Sequence, residues 1–454
     1  MEPGIVIIGC GAAGGTAAQF ARKTDRKIPV VILEKGKYSQ YSKCGLPYVI
    51  SNGIPSFDDL VEFSEEWFKK ARIDLYLETI VETIDVENKQ VIARKNNEEI
   101  VFPYTSLIIA TGAEARIPPI KNLEKSLPKN VFLLRTIEDG KGIVSILDEI
   151  DKPVIVGAGF IGLELAESFH KRNKDVTIVE ALPSILPNTL DKDMSISIQK
   201  ELSKYLTILV NHLVEEVHIN NGYVDSITLR NTETKEQMKM DVDLLVIATG
   251  TKPEVTLAQQ IGCRIGETGG VIVNNRCMTS IPNIYAIGDC TEYHDFITGN
   301  SMLVGLGSIA VRQGIVAGVN AAGGNRFLPR GFLQTCTSRF FNIEVASVGV
   351  PSHRISNDII SARYTGSSLP EYYPGGNPVT VKILVDREKG VVIGGQVFGE
   401  NAAQRINTIA CAVRNQMHID DFRDLETAYA PPIAPTFDPI TITGEVASMK
   451  WRRK

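Results

Sequence analysis

The chain has 454 residues, 43% of them apolar and 22% charged, which are globular proportions at a length that calls for about two to four domains. A net charge of −5 offers nucleic acid no electrostatic footprint, and no apolar run reaches the roughly 18 residues of a membrane span, so neither partner is expected. The seven cysteines (10, 44, 263, 277, 290, 336 and 411) contain no CxxC pair and the six histidines are scattered, so a metal is not expected and a reduced, cytoplasmic setting is.

The chain opens almost directly on "IVIIGCG", with no basic, apolar and small-residue leader, so secretion is not expected. The β-branched run Ile5 to Ile8 predicts a strand. Gly9, Gly11 and Gly14 follow in G-x-G-x-x-G spacing, with Ala12 and Ala13 between them, and an alanine-rich helix comes next. A second apolar run, "PVVILE", ends at Glu34, which precedes Lys35. Strand, glycine turn, helix, strand and acid together form the dinucleotide fingerprint. The glycines let the backbone approach a pyrophosphate at the helix N-terminus, and the carboxylate accepts from a ribose diol. Next comes "QYSKCGLPYV", in which Cys44 sits between Lys43 and Gly45. Taken alone, a cysteine in a turn is ordinarily a small packing residue. The run "SLIIATGAEARIP" then predicts a strand ending in Ala110, Thr111 and Gly112.

The fingerprint recurs in "KPVIVGAGFIGLELAESFHKRNKDVTIVE", with Gly157, Gly159 and Gly162, then Glu180 at the end of the second strand. Phe160 and Ile161 open its helix, and Glu164 lies one turn after Phe160. Two fingerprints imply two dinucleotides. Glu180 would repel a 2′-phosphate and no arginine follows closely, which favours NADH, with NADPH left open. A second Ala-Thr-Gly strand, "DLLVIATGTKPE", ends at Gly250. These two strands would carry the chain between domains. "TSIPNIYAIGDCTE" then places Gly288 and Asp289 after an apolar strand, where an aspartate can hold a ribityl hydroxyl. The N-terminal dipole of the helix that follows would stabilise negative charge on a reduced flavin. Near the C-terminus, "VTVKILVD" and "GVVIGGQVFG" predict paired strands, and "AAQRINTIACAVRNQ" an amphipathic helix.

In this order, both fingerprints, both Ala-Thr-Gly strands, the Gly-Asp pair, "CGLPY" and "AYAPP" make the chain resemble the FAD-dependent pyridine nucleotide–disulfide oxidoreductases. Within them it is most similar to the single-cysteine branch of coenzyme A-disulfide reductases, NADH oxidases and NADH peroxidases. The resemblance implies an α/β protein with two Rossmann-like FAD/NAD(P)-binding domains plus an α+β C-terminal dimerisation domain. Residues 1–112 and 253–325 would form a split FAD domain, 113–149 a connection, 150–252 the NAD(H) domain and 326–454 the dimerisation domain. A homodimer follows, because in this family that last domain completes the partner's active site. The resemblance also implies that Val81 offers its backbone to adenine and that Phe160 gates the flavin.

In that setting Cys44 is the expected redox centre. Family members with a cysteine pair place the second sulfur five residues away; here Ser39 and Val49 stand at those offsets. Cys44 would therefore cycle between a thiolate and a mixed disulfide, persulfide or sulfenic acid. Cys10 reads as a packing residue, whereas Cys336 falls where the dimerisation domain begins near the active site. The histidine of paired-cysteine reductases is replaced by Ala434, and that of the oxidases and peroxidases by Ala12. The resemblance to coenzyme A-disulfide reductases points to tyrosines instead: Tyr429 in "AYAPP", and Tyr372 or Tyr373 in "EYYPGGNP". Gln40 and Lys43 depart from the reductase pattern, which has Ser and Asn there. Lys43 would meet a substrate phosphate or carboxylate.

The leading expectation is an NADH-dependent flavoprotein reducing a small disulfide, persulfide or polysulfide, coenzyme A disulfide among them, through Cys44. The alternatives are an NADH oxidase reducing oxygen, an electron-transfer reductase for a ferredoxin or rubredoxin, and a nucleotide sensor with little turnover.

Overall fold

The computed structural model describes residues 2–124, 126–303 and 305–453. Its N-terminal half is built on a parallel sheet in which the strand Gly4–Ile8 lies between Val30–Leu33 and the long strand Glu98–Ile109. The strand Ile284–Ala286 returns from much later in the chain to pair in parallel with the end of Glu98–Ile109. The first half of that long strand pairs antiparallel with Gln90–Lys95, so one strand serves two layers. Gly4–Ile8 is buried along its whole length, as a strand covered on both faces must be. The alanine-rich helix Ala12–Thr24 packs against the helix Gly307–Ala321, closely enough that a Cβ on Gly318 would lie 2.2 Å from the Ala17 carbonyl oxygen.

The second parallel sheet runs in the order Thr207–Leu209, Thr177–Val179, Pro153–Val156, Leu244–Ile247 and Val131–Phe132. Its outermost strand, Val131–Phe132, lies inside the stretch read as a connection, and the helix Ile137–Leu147 follows it. The apolar run Val131–Leu134 is short and has no alternation to mark a strand; pairing with Leu245 and Val246 makes Val131–Phe132 one. An antiparallel layer of His212–Asn220, Tyr223–Asn231 and Gln237–Asp241 sits beside this sheet.

The chain crosses between the two halves twice, and the crossings meet. Ala113–Ala115 pairs antiparallel with Thr251–Pro253, the Thr111 hydroxyl donates to the Glu254 carbonyl at 2.6 Å, and the Thr249 hydroxyl donates to the Arg116 carbonyl at 2.6 Å.

The C-terminal part is a five-stranded antiparallel sheet in the order Cys336–Phe340, Ile343–Val348, Val392–Gly399, Pro378–Asp386 and Ile359–Ser367. Pro378–Asp386 and Val392–Gly399 are the paired strands expected from the sequence, and Ala402–Arg414 is the expected amphipathic helix, burying Ile406, Ile409 and Val413. Lys382 fastens this part to the start of the helix Lys192–Leu202. Its buried ammonium lies 2.8 Å from Asp191 and 2.6 Å from Asp193. Among the described residues no helix is long and apolar enough to cross a membrane.

Candidate active site

Both fingerprints form the same backbone device. Gly9 has φ +105° and Gly157 φ +109°, conformations that disfavour any side chain. A Cβ on Gly14 would lie 1.9 Å from the Gly9 carbonyl oxygen, and one on Gly162 would lie 2.0 Å from that of Gly157. At Gly11 and Gly159 a Cβ would meet nothing within 4 Å, so each turn presents an open face at the start of a long helix. The two acids also hold the backbone. Glu34 accepts from the backbone N–H of Cys10 at 2.7 Å and of Gly36 at 2.7 Å, and Glu180 from those of Ala158 at 2.8 Å and Leu182 at 2.9 Å. Each carboxylate thus ties the glycine turn to the end of the neighbouring strand. Spacing alone does not disclose this second task.

The first cradle is completed by groups that the parallel sheet delivers to one end. Ala110, Thr111 and Gly112 follow Glu98–Ile109, and a Cβ on Gly112 would meet nothing within 4 Å. Gly288 has φ +76°, and its N–H donates to the buried Gln313 side chain at 2.7 Å. Asp289 pairs with Arg135 at 2.9 Å, and Arg135 also donates to the Ala113 carbonyl at 3.2 Å. Val81 lies on the strand Ile80–Asp85, in the antiparallel layer beside this sheet. These residues fit a flavin dinucleotide: an open glycine turn at a helix start, an acid beside it, and a second acid at the far strand end. The second cradle, with Gly157, Gly159, Gly162, Glu180 and Gly250, fits a nicotinamide dinucleotide. Gly250 has φ +97° and is open.

Cys44 sits in the single turn Lys43–Gly45, which runs straight into the helix Leu46–Ile50. Gly45 is a steric requirement: a Cβ there would lie 2.3 Å from the Leu60 side chain. Cys44 is exposed, all seven cysteines are free, and Ser39 and Val49 are both buried. Burial by the surrounding protein, then the carboxylates of Glu164 and Asp289, push the Cys44 thiol up, while Arg135 opposes them. The cation acting on this sulfur is therefore Arg135, which sequence reading missed. Lys43 is exposed, yet desolvation lowers its ammonium and Arg135 lowers it further, with Glu34 and Asp289 opposing. A side chain lining a cleft shows both properties, and its neighbours place it at the first cradle. Gln40 is buried against Gly15 of the first helix, and its Oε1 has no hydrogen-bond partner.

Phe160 is half-buried and stacks on Phe340 of the C-terminal sheet, with ring centroids 6.0 Å apart. Ile161 is exposed. Glu164 accepts from the Ser338 hydroxyl at 2.6 Å; its carboxyl is raised by burial and by Glu167 against that bond. Tyr372 and Tyr429 are both exposed and share a hydrogen bond of 2.5 Å between their hydroxyls, which Tyr373 does not join. Cys10 is buried, with its thiol pushed far up by desolvation and by Glu34. Cys336 is hydrogen-bonded to the Ser347 hydroxyl at 3.2 Å, and burial raises its thiol. Among the described residues no cluster of metal-ligating side chains occurs.

Comparison with known proteins bears on the whole chain. Residues 3–314 match the pyridine nucleotide-disulphide oxidoreductase family model, and residues 335–439 match the dimerisation domain of that family. The chain is 36% identical over 459 residues to a protein of Methanocaldococcus jannaschii named NADH oxidase, covering 99% of each. It is 32% identical to the NAD(P)H coenzyme A polysulfide/persulfide reductase of Pyrococcus horikoshii, covering 98% of each. Among solved structures, the NAD-dependent persulfide reductase from A. fulgidus superposes with a TM-score of 0.94 at 33% identity, over 99% of this chain and 84% of that one. With two glycine cradles, one exposed sulfur beside the first and a match from end to end, the chain belongs to the pyridine nucleotide-disulphide oxidoreductase family.

Proposed function

We propose that the protein oxidises NADH with bound FAD and passes the electrons through Cys44 to a small disulfide, persulfide or polysulfide. The observation that carries this reading is one exposed cysteine beside the flavin cradle, with buried Ser39 and Val49 where a partner sulfur would stand. A sulfur with no neighbour of its own kind takes its second sulfur from the substrate.

Bound FAD supplies a two-electron carrier between a hydride donor and sulfur. The chain's residues do the rest. Gly9, Gly11, Gly14 and Glu34, with Ala12, Ala13, Lys35 and Val81, hold the adenine and pyrophosphate side. Ala110, Thr111, Gly112, Gly288, Asp289 and Lys43 hold the flavin side. Gly157, Gly159, Ile161, Gly162, Glu180 and Gly250 hold NADH, and Phe160 leaves Phe340 to admit the nicotinamide. The Glu180 charge disfavours a 2′-phosphate, so NADH is preferred to NADPH. Arg135 is the cation that opposes burial, Glu164 and Asp289 at the Cys44 sulfur, although the thiol stays raised on balance.

The dimerisation domain makes a homodimer the working unit. Its exposed Tyr372–Tyr429 pair would then face Cys44 of the other protomer, and a phenol there protonates the departing thiolate. The division into residues 1–112 with 253–325, 150–252 and 326–454 describes these three tasks, with the strand Val131–Phe132 joining the second of them. Coenzyme A disulfide and coenzyme A persulfide are the candidate substrates, since a relative of 32% identity carries a coenzyme A persulfide reductase name. Oxygen is the second acceptor to test, because a relative of 36% identity is named NADH oxidase.

The test is anaerobic NADH turnover with coenzyme A disulfide, inorganic polysulfide or oxygen added in turn, in wild type and Cys44→Ser. Loss of the sulfur reactions alone supports the reading. Survival of every reaction in Cys44→Ser refutes it.

A further inference from the structure

We propose that two matched ion pairs, Glu82–Arg94 and Glu215–Arg230, are positioning devices, each pinning a β-bulge whose backbone receives the adenine of one dinucleotide. The inference rests on the reading of the first cradle as the FAD site and the second as the NADH site, and extends it from the ribose acids to the base.

The two cradles repeat well beyond their glycines. The Glu34 N–H donates to the Tyr76 carbonyl at 2.9 Å, and the Glu180 N–H to the Leu209 carbonyl at 2.8 Å. The Thr79 N–H returns to the Glu34 carbonyl and the His212 N–H to the Glu180 carbonyl, both at 2.9 Å. The residue before each, Glu78 or Asn211, is left-handed, with φ +52° and +57°. The Thr79 hydroxyl bonds the Leu77 carbonyl at 3.0 Å, and the His212 Nδ1 bonds the Val210 carbonyl at 2.7 Å. Thr79 is thus the counterpart of His212, and Val81 of Val214. The strands then lose register at the same place. Val81 faces Ala93 and Thr83 faces Ile92, which leaves Glu82 unmatched. Val214 faces Leu229 and Glu216 faces Thr228, which leaves Glu215 unmatched. Each is a β-bulge, with one residue too many on one strand.

The unmatched residue is a glutamate both times, and it meets an arginine both times. Glu82 accepts from Arg94 through two N–H groups, at 2.6 and 3.0 Å, and Glu215 accepts from Arg230 through one, at 3.0 Å. The arginines are themselves counterparts, opposite Ile80 and Leu213, one residue before the valines. Both pairs are partly exposed and therefore add little to folding. Stability does not account for their recurrence at one point of the fold.

The position of the bulges does. A ribose held by Glu34 or Glu180 carries its base at C1′. The backbone bonded beside each acid is Thr79–Val81 or His212–Val214, a stretch of about 7 Å at about 3.3 Å per residue. The base falls at the bulge, where the ladder is interrupted and backbone groups turn out of it. The Glu215 carbonyl does so visibly, accepting from the Lys121 N–H at 2.9 Å, outside the three-stranded layer. Slippage of the bulge by one residue would redirect these groups. The carboxylate–arginine bond opposes that slip, because it fixes the unmatched residue against the facing strand.

The test uses the flavin-loaded protein and the variants Arg230→Met, Arg230→Lys and Arg94→Met, with Glu180→Ala as reference. ADP-ribose, which carries adenine and diphosphate but no nicotinamide, is titrated by calorimetry. KM and kcat are measured with NADH and with reduced nicotinamide mononucleotide, which lacks the adenosine half, using ferricyanide as acceptor. Arg230→Met should weaken ADP-ribose by about fivefold, the worth of one ordinary hydrogen bond. The KM for NADH should rise by the same factor, with kcat, the KM for the mononucleotide and the urea midpoint at wild-type values. Arg230→Lys should recover most of the affinity, since Glu215 takes a single N–H from the arginine. Arg94→Met should leave ADP-ribose binding unchanged and speed the loss of FAD on dilution by about fivefold. Unchanged ADP-ribose affinity in Arg230→Met overturns the proposal. So does an equal rise in KM for both nucleotides, which would mark a loosened domain, and so does weakened ADP-ribose binding in Arg94→Met. Glu180→Ala separates the two levels. If it leaves the ratio of the two KM values unchanged, the second cradle does not hold the adenosine half and the cradle reading falls; if it shifts the ratio while Arg230→Met does not, only the pinning falls.

Discussion

Replacing Glu180 with alanine tests two tasks of one side chain. Glu180 is 9% exposed, and its carboxylate accepts from the N–H groups of Ala158 and Leu182 at 2.8 and 2.9 Å. A hydrogen bond to a charged acceptor contributes about 1.5–3 kcal/mol, so the two sum to roughly 3–6 kcal/mol. Water entering the vacated space recovers part of this and brings the expected cost to the lower end of that range. Against a total stability of about 5–15 kcal/mol, the nicotinamide half should loosen well before the rest. The charge has a separate effect, because removing it lifts the repulsion toward a 2′-phosphate. The expected result is a lower urea midpoint, weaker NADH binding, and an NADPH-to-NADH affinity ratio that rises although neither nucleotide binds better than NADH does to wild type. Glu180→Gln keeps one acceptor oxygen and should fall between the two in stability while showing the full change in ratio. Urea unfolding and nucleotide titration measure both quantities. Wild-type stability in Glu180→Ala, to within about 0.5 kcal/mol, would refute the clamp, and an unchanged ratio would refute the charge argument.

Three further outcomes are expected. Co-expression of Cys44→Ser with Tyr429→Phe should restore disulfide reduction that neither homodimer shows, because a mixed dimer holds one intact pairing of Cys44 with the other protomer's Tyr429; no recovery on assaying the purified mixed dimer would place the tyrosine in the same subunit. Lys382→Met leaves Asp191 buried without its cation and should cost about 3–5 kcal/mol in thermal or urea unfolding. In wild type, burial alone would raise Asp191, but Lys382 and the Ser352 N–H overcome it and hold the carboxyl below the usual range. A depressed carboxyl stabilises when ionised, so this contribution is present above the ordinary carboxylate range and is lost as pH falls through the folded value; a Lys382→Met penalty that does not shrink in acid would contradict that. Gly45→Ala should cost about 1–3 kcal/mol as its Cβ meets Leu60 at 2.3 Å, and disulfide turnover should drop more than NADH oxidation because Cys44 is displaced.

The two cradles were legible in the sequence because a tight turn against a strand end leaves glycine no substitute, and the offsets between such glycines are local. Cys44 was legible through its neighbours: Gly45 is forced by Leu60, and that pressure leaves a readable Cys-Gly pair. Arg135 was not, since it meets Asp289 from 154 residues away and stands in no motif. Ser338 reaches Glu164 across 174 residues for the same reason. Tyr372 and Tyr373 were indistinguishable as adjacent letters; a hydroxyl pair with Tyr429 separates them. The strand Val131–Phe132 escaped because two residues carry no periodicity, and only its partner defines it.

The paired crossings, Ala113–Ala115 beside Thr251–Pro253, have a consequence for how such a protein can be remade. Everything between them leaves and rejoins the flavin-binding sheet at one spot, so the intervening segment is a cassette with adjacent ends. A gene segment exchanged at those two points preserves the spacing that the recipient needs. The recurrence of the same glycine turn and the same carboxylate clamp on both sides of the junction reads as the trace of one copy of a module settling inside another.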